Sequence, residues 1–131
     1  MKSLNFDSGV KEYEINGDPN RVLRINPTDF AIIDRINKAK DELDKLHITP
    51  DIDGMVELDK VVRAQIDEIF GVGSSDTIFG ETNSASFAGG QPIFANFLEC
   101  IAPEITRVIE EEKKKSATKI KKYTSQVENL K

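Results

Sequence analysis

The stretch NPTDFAIIDRINKAKDELDKL, Asn26 to Leu46, marks where the chain changes its hydrophobic period. Within it Phe30, Ile33, Ile36, Leu43 and Leu46 recur at roughly helical spacing, while Asp34/Lys38 and Asp41/Lys45 pair on the opposite face. Its opening residues read as a helix start. Asn26 is placed to cap, Pro27 to take the first helical position, and Asp29 to reach back in the manner of a capping box. Upstream the period is two: Leu4 and Phe6, then Tyr13 and Ile15, then Leu23 and Ile25 alternate with polar neighbours. Ser8-Gly9 and Asn16-Gly17-Asp18-Pro19-Asn20 separate these runs, with glycine free to take positive φ and proline fixing its own. The expectation is an antiparallel three-stranded meander over residues 1–26, followed by helices.

Downstream, the first helix should stop before Pro50. A second runs from about Met55 through Leu58, Val62, Ile66 and Ile69 and ends at Gly71, a suitable left-handed cap. Residues 71–90 are rich in Gly, Ser, Thr and Asn yet carry Ile78, Phe79 and Phe87, which reads as an irregular loop that binds something or packs as a lid. Helical spacing returns from Gln91 through Phe94, Phe97, Leu98, Ile101, Ile105, Val108 and Ile109, with Pro103 expected to kink or break it near Glu99. The fold class is therefore α+β and mainly α-helical: an N-terminal β-meander, a body of three to four helices, and a long C-terminal helix. A single domain is expected, with residues 1–26 as meander, 27–112 as helical body with its loop at 71–90, and 113–131 as a lysine-rich helical tail.

Hydrophobic residues make up 38% of the 131 and charged residues 31%, a balance that suits a soluble chain with one modest core. The longest apolar runs, such as Phe30 to Ile33, fall far short of the roughly 20 residues a membrane span requires, and no signal-peptide apolar core opens the chain. Both observations point to the cytoplasm. The lone cysteine, Cys100, has no partner for an internal disulfide and sits among Phe97, Leu98 and Ile101, where a buried thiol is expected. The net charge of −5 is uneven: residues 113–131 hold seven lysines and one acid, which leaves the rest at −11. An acidic body repels phosphates, so only the tail could attract nucleic acid. That tail has one aromatic, Tyr123, and no arginine, which provides poorly for stacking or bidentate base reading.

Chemistry-bearing patterns fail on inspection. Asp51-Ile52-Asp53-Gly54 resembles the middle of a calcium loop, but with Gly54 sixth the first ligand falls on Thr49 and the twelfth on Lys60, a cation where a carboxylate is required. Gly71-Val72-Gly73 lacks the third glycine of a dinucleotide loop, since residue 76 is Asp, and it follows a helix. His47, the sole histidine, has no paired metal-ligand spacing, and a dyad with Cys100 has nothing to recommend it beyond both residues existing. No catalytic residue, cofactor or metal is expected; the chain reads as a non-enzymatic, protein-binding module.

Four segments, taken in order, carry a likeness: LNFDSGVKEYEING, NPTDF, IDEIFGVGSSDTIFG and GGQPIFANFLECIAPEI. Together with the lysine-rich end, they resemble the small tail assembly chaperones encoded by phages and prophages of Gram-positive bacteria, over nearly the whole chain. The resemblance implies a protein of the bacterial host cytoplasm that binds and solubilises the aggregation-prone tape measure protein, assists assembly of the tail tube protein, and is missing from the finished virion. It also implies a longer form made by ribosomal frameshifting, for which the runs Lys113-Lys114-Lys115 and Lys121-Lys122 offer candidate adenine-rich codons. Such a chaperone needs apolar surface not consumed by its own core. The residues that fit are Phe79 and Phe87 in the loop and the seam Ile120, Tyr123, Val127 and Leu130, as contacts to client or to further copies of the chain. Two other readings stand beside this one: a structural tail completion or connector protein, and a small nucleic-acid-binding regulator that uses the basic tail.

Overall fold

The computed structural model describes the backbone of residues 1–129 and the side chains of residues 1–119. The chain is α+β and mainly helical. Strands β1 (Lys11–Ile15) and β2 (Asp18–Ile25) form a hairpin, followed by helices α1 (Phe30–Asp44), α2 (Ile52–Phe70) and α3 (Ser74–Phe79). A short second hairpin, β3 (Phe87–Ala88) with β4 (Gln91–Pro92), leads into the long helix α4 (Ile93–Asn129).

The first hairpin closes through Asn16 and Gly17, at φ 51° and 74°. Positive φ at both central residues matches the right-handed twist of the flanking strands, and this is why Asn-Gly is favoured there. The sheet has two strands where three were expected. Leu4 and Phe6 keep the alternation but do not pair, and they stand 89% and 81% exposed. Helix α1 also starts later than its sequence suggests. Asn26 Oδ1 accepts from the Thr28 N–H and hydroxyl in a turn, and Asp29 is the true cap, accepting from Ala31 N at 2.9 Å. With that shift Phe30 points outward, 73% exposed, and the buried stripe passes through Ile32 and Ala39, flanked by the half-buried Ile36 and Leu43.

Asp51 caps α2 by accepting from Gly54 N at 2.7 Å, so the acidic turn that mimics a calcium loop serves as a helix start. Helix α2 supplies Val62, Ile66, Ile69 and Phe70 to the core, where they meet Leu23 and Ile25 of β2, Ile78 and Phe79 of α3, and Ile101 and Ile105 of α4. One hydrophobic cluster thus joins elements from both ends of the sequence. Helix α4 runs through Pro103 without a break. The proline withholds an N–H from the Glu99 carbonyl, but both residues lie on the exposed face, where water can serve that carbonyl.

The loop expected at 71–90 is ordered in part into α3 and the β3–β4 hairpin, with turns and bends between them. Gly89 and Gly90, at φ 64° and 86°, form the tight turn of that hairpin.

Gly54 decides the entry to α2. Glycine to alanine inside a helix normally gains about 1 kcal/mol, but a Cβ here would lie 1.8 Å from the Thr49 carbonyl oxygen. The clash is with backbone and wins. Gly54→Ala is expected to lower stability by about 1–3 kcal/mol, read as a reduced urea midpoint with unchanged slope.

Candidate functional site

Asp59 and Arg63 lie on α2, one helical turn apart. Arg63 Nε donates to Asp59, its Nη1 to Asp76 at 3.0 Å, and its Nη2 to the carbonyls of Gly80 and Thr82, both at 2.8 Å. Asp59 Oδ1 in turn accepts from both the N–H and the hydroxyl of Ser84 at 2.7 Å. Ser84 is fully buried, and this pairing satisfies its polar atoms. Burial opposes the charged form of Asp59, but the two Ser84 hydrogen bonds and the Arg63 guanidinium outweigh it and hold the carboxyl below its usual range. The arrangement ties the 80–86 segment to α2.

From that anchor the β3–β4 hairpin is set against α4. Asn96 Nδ2 donates to the Ala88 carbonyl at 3.0 Å, and Gln91 Nε2 donates to Glu99 at 2.8 Å. The first turns of α4 then place Phe97 edge-on to Phe70 and Phe79, with ring centroids 5.7 and 6.2 Å away. Across from them the β1–β2 hairpin is held to α3 by Arg21, whose guanidinium donates to the carbonyls of Thr77 and Ile78.

An apolar groove of about 680 Å³ lies between these parts. Phe79, Phe97 and Ile101 form its floor and Tyr13, Ile15 and Leu23 its hairpin wall, with Glu14 and Glu104 as charged lining residues. Burial pushes the Tyr13 phenol up to about 12, with the facing Glu104 carboxylate adding to the effect. The phenol oxygen is buried, and no acceptor, Glu104 included, reaches hydrogen-bond geometry with it. A hydrogen bond from Arg107 keeps Glu104 itself below the usual carboxylate range.

The residues singled out in the sequence scatter. Phe79 is 4% exposed and belongs to the core, and it also lines the groove. Phe87 is 73% exposed on β3. Ile120, Tyr123, Val127 and Leu130 lie outside the described side chains. Cys100 is exposed and lines the groove, contrary to the buried thiol expected of it. The apolar face of α4 is set by Phe97, Ile101, Ile105 and Val108, and residue 100 lies about 100° off that face. Sequence reasoning missed the groove wall. Tyr13 and Ile15 were legible as a strand face, but nothing local marked that face as only partly covered.

Among the described residues no group of three or more His, Cys, Asp or Glu side chains is arranged to hold a metal ion, and no helix is long and apolar enough to cross a membrane. Comparison with protein-family models, with curated proteins and with solved structures gives no match in any of the three.

The pH response of the Asp59 anchor follows from the sign of its shift. A carboxyl whose folded pKa is depressed contributes stability that is present above the unfolded carboxylate range, near pH 4. That contribution is lost as pH falls through the lower folded value. Asp59→Ala is expected to cost about 2–3 kcal/mol at pH 7, because it leaves the largely buried Arg63 and Ser84 short of an acceptor. Chemical denaturation from pH 7 to pH 3 should show the gap between wild type and variant narrowing over the acid limb.

Proposed function

We propose that this chain is a non-catalytic tail assembly chaperone whose groove receives apolar segments of the tape measure protein and keeps them from aggregating. The observation that carries the reading is the groove itself. In a single copy it is apolar and open, it lies between the β1–β2 hairpin, α3 and α4, and it is set in a chain whose first 112 residues are strongly acidic overall. Its 680 Å³ falls within the range of about 300–1,000 Å³ usual for binding clefts. A tape measure protein is a long helical client. The side chains that such a helix presents at i, i+3 and i+4 match a cleft wide enough for a few large apolar groups. The resemblance of the four segments to tail assembly chaperones supports the same role, with the tail tube protein as the second partner.

Co-expression with a tape measure protein tests this directly. Wild type is expected to raise the soluble fraction of that client severalfold. Cys100→Arg places a cation in the groove at an exposed position, and it should abolish the gain while leaving the melting temperature within about 2 °C, as surface substitutions do. Unchanged client solubility with both proteins well expressed refutes the proposal.

A further inference from the structure

Residues 1–10 precede β1 without regular structure, and their apolar side chains touch little: Leu4 is 89%, Phe6 81% and Val10 47% exposed. Large apolar groups on a strand-period segment, left in water by the chain that carries them, call for a partner. The molecule offers a matching place. Among the described residues strand β1 pairs only with β2, so its other edge presents unpaired backbone groups. Beside β1 lies the apolar groove, into which Tyr13 and Ile15 project at the same two-residue spacing as Leu4 and Phe6.

The chain's own arm is held away from that place. A hairpin of the arm with its own β1 would turn at Ser8-Gly9, but those residues are engaged otherwise. Asn26 Nδ2 donates to the Ser8 carbonyl at 3.0 Å, and Gly9 N donates to Asp7 Oδ1 at 2.9 Å with Gly9 at φ 75°. The arm's root is thereby pinned beside Asn26, at the end of the hairpin away from the Asn16-Gly17 turn. An arm arriving from another molecule is pinned to its own body and so is free of the tether that keeps this chain's arm from this edge.

We propose that in the free protein the groove is filled by the N-terminal arm of a second copy, added as a strand along the open edge of β1 with Leu4 and Phe6 seated against Tyr13, Ile15 and Ile101, in a reciprocal two-fold exchange. Charge agrees with the pairing. Lys2 is the sole charged side chain in residues 1–6, and the charged residues lining the groove are Glu14 and Glu104. Size agrees as well. Burying Met1, Leu4 and Phe6 with the walls they cover, twice over, removes on the order of 1,500 Å² from water, near the roughly 1,600 Å² of a stable interface. Main-chain hydrogen bonds along β1 supply the register and the two apolar side chains the affinity. The exchange does not rest on the chaperone reading, because both halves of it belong to this chain.

Sedimentation equilibrium of the full chain at tens of micromolar should give twice the 14.6 kDa chain mass. The double variant Leu4→Ser, Phe6→Ser, altered only where the single chain is exposed, should weaken the dimer at least tenfold while its far-ultraviolet circular dichroism stays that of wild type. Geometry is tested with cysteines. Wild type, whose only cysteine is the groove residue Cys100, is mixed under mild oxidation with Phe6→Cys, Cys100→Ser. The mixed disulfide should exceed severalfold that formed with Lys38→Cys, Cys100→Ser, which places its thiol on the exposed face of α1. A monomeric wild type, a dimer indifferent to the double variant, or cross-linking no greater than the α1 control each overturns the proposal. So does an internal disulfide in monomeric Phe6→Cys with Cys100 retained, which would show the arm folding onto its own chain.

Discussion

The Arg63 guanidinium joins three parts of the chain at one point. It donates to Asp59 on its own helix, to Asp76 on α3, and to the carbonyls of Gly80 and Thr82 in the segment beyond α3, while lying over the Phe79 ring at 5.8 Å. A charge whose side chain is only 19% exposed is costly unless its donors are used, and here the planar fork is matched to several acceptors at once. A lysine could place the charge but not the directions. Because Asp59 also fastens Ser84, the segment between α3 and β3 has little freedom, and the start of α4 is set by what precedes it.

The groove follows from that constraint together with an imbalance in the first sheet. Leu23 and Ile25 of β2 are buried in the common core, whereas Tyr13 and Ile15 of β1 are only partly covered. An isolated two-stranded sheet is marginal in water, so this one depends on β2 packing inward and on Arg21 bonding the last carbonyls of α3. The outer strand is carried along without being fully roofed. Its inward face and the Phe97–Ile101 face of α4 therefore leave an apolar cleft, and the open edge of β1 borders the same region. The two proposals, client binding and arm exchange, draw on one physical fact: apolar surface that this chain organises but does not itself cover.

Much of the architecture was legible in residue order. The change from period two to helical spacing near Asn26, the Asn-Gly turn, the run from Met55 to Gly71 and the long apolar series from Gln91 correspond to elements of the structure. Errors arose where one local signal competed with another. Asn26 and Asp29 are both good caps, and the structure uses Asp29, which rotates Phe30 out and Ile32 in. Leu4 and Phe6 form a proper strand pattern, yet a strand exists only when an edge is presented to it, and the Ser8-Gly9 turn is held in another geometry by Asn26. Pro103 carries a strong breaking signal that an exposed helix face tolerates.

Local chemistry by itself determined the fold class, the turns and the order of elements, because hydrophobic period and turn-forming residues act over a few positions and need no distant partner. It also located the strand face that became the groove wall. Only the tertiary structure decided which apolar groups are spent in the core and which remain available. Phe79 is buried, Phe87 is exposed, and Tyr13 lies between these extremes, although nothing in their neighbours distinguishes them. Burial is set by what packs from across the chain, and for this protein that is governed by Arg63 and the segment it fastens.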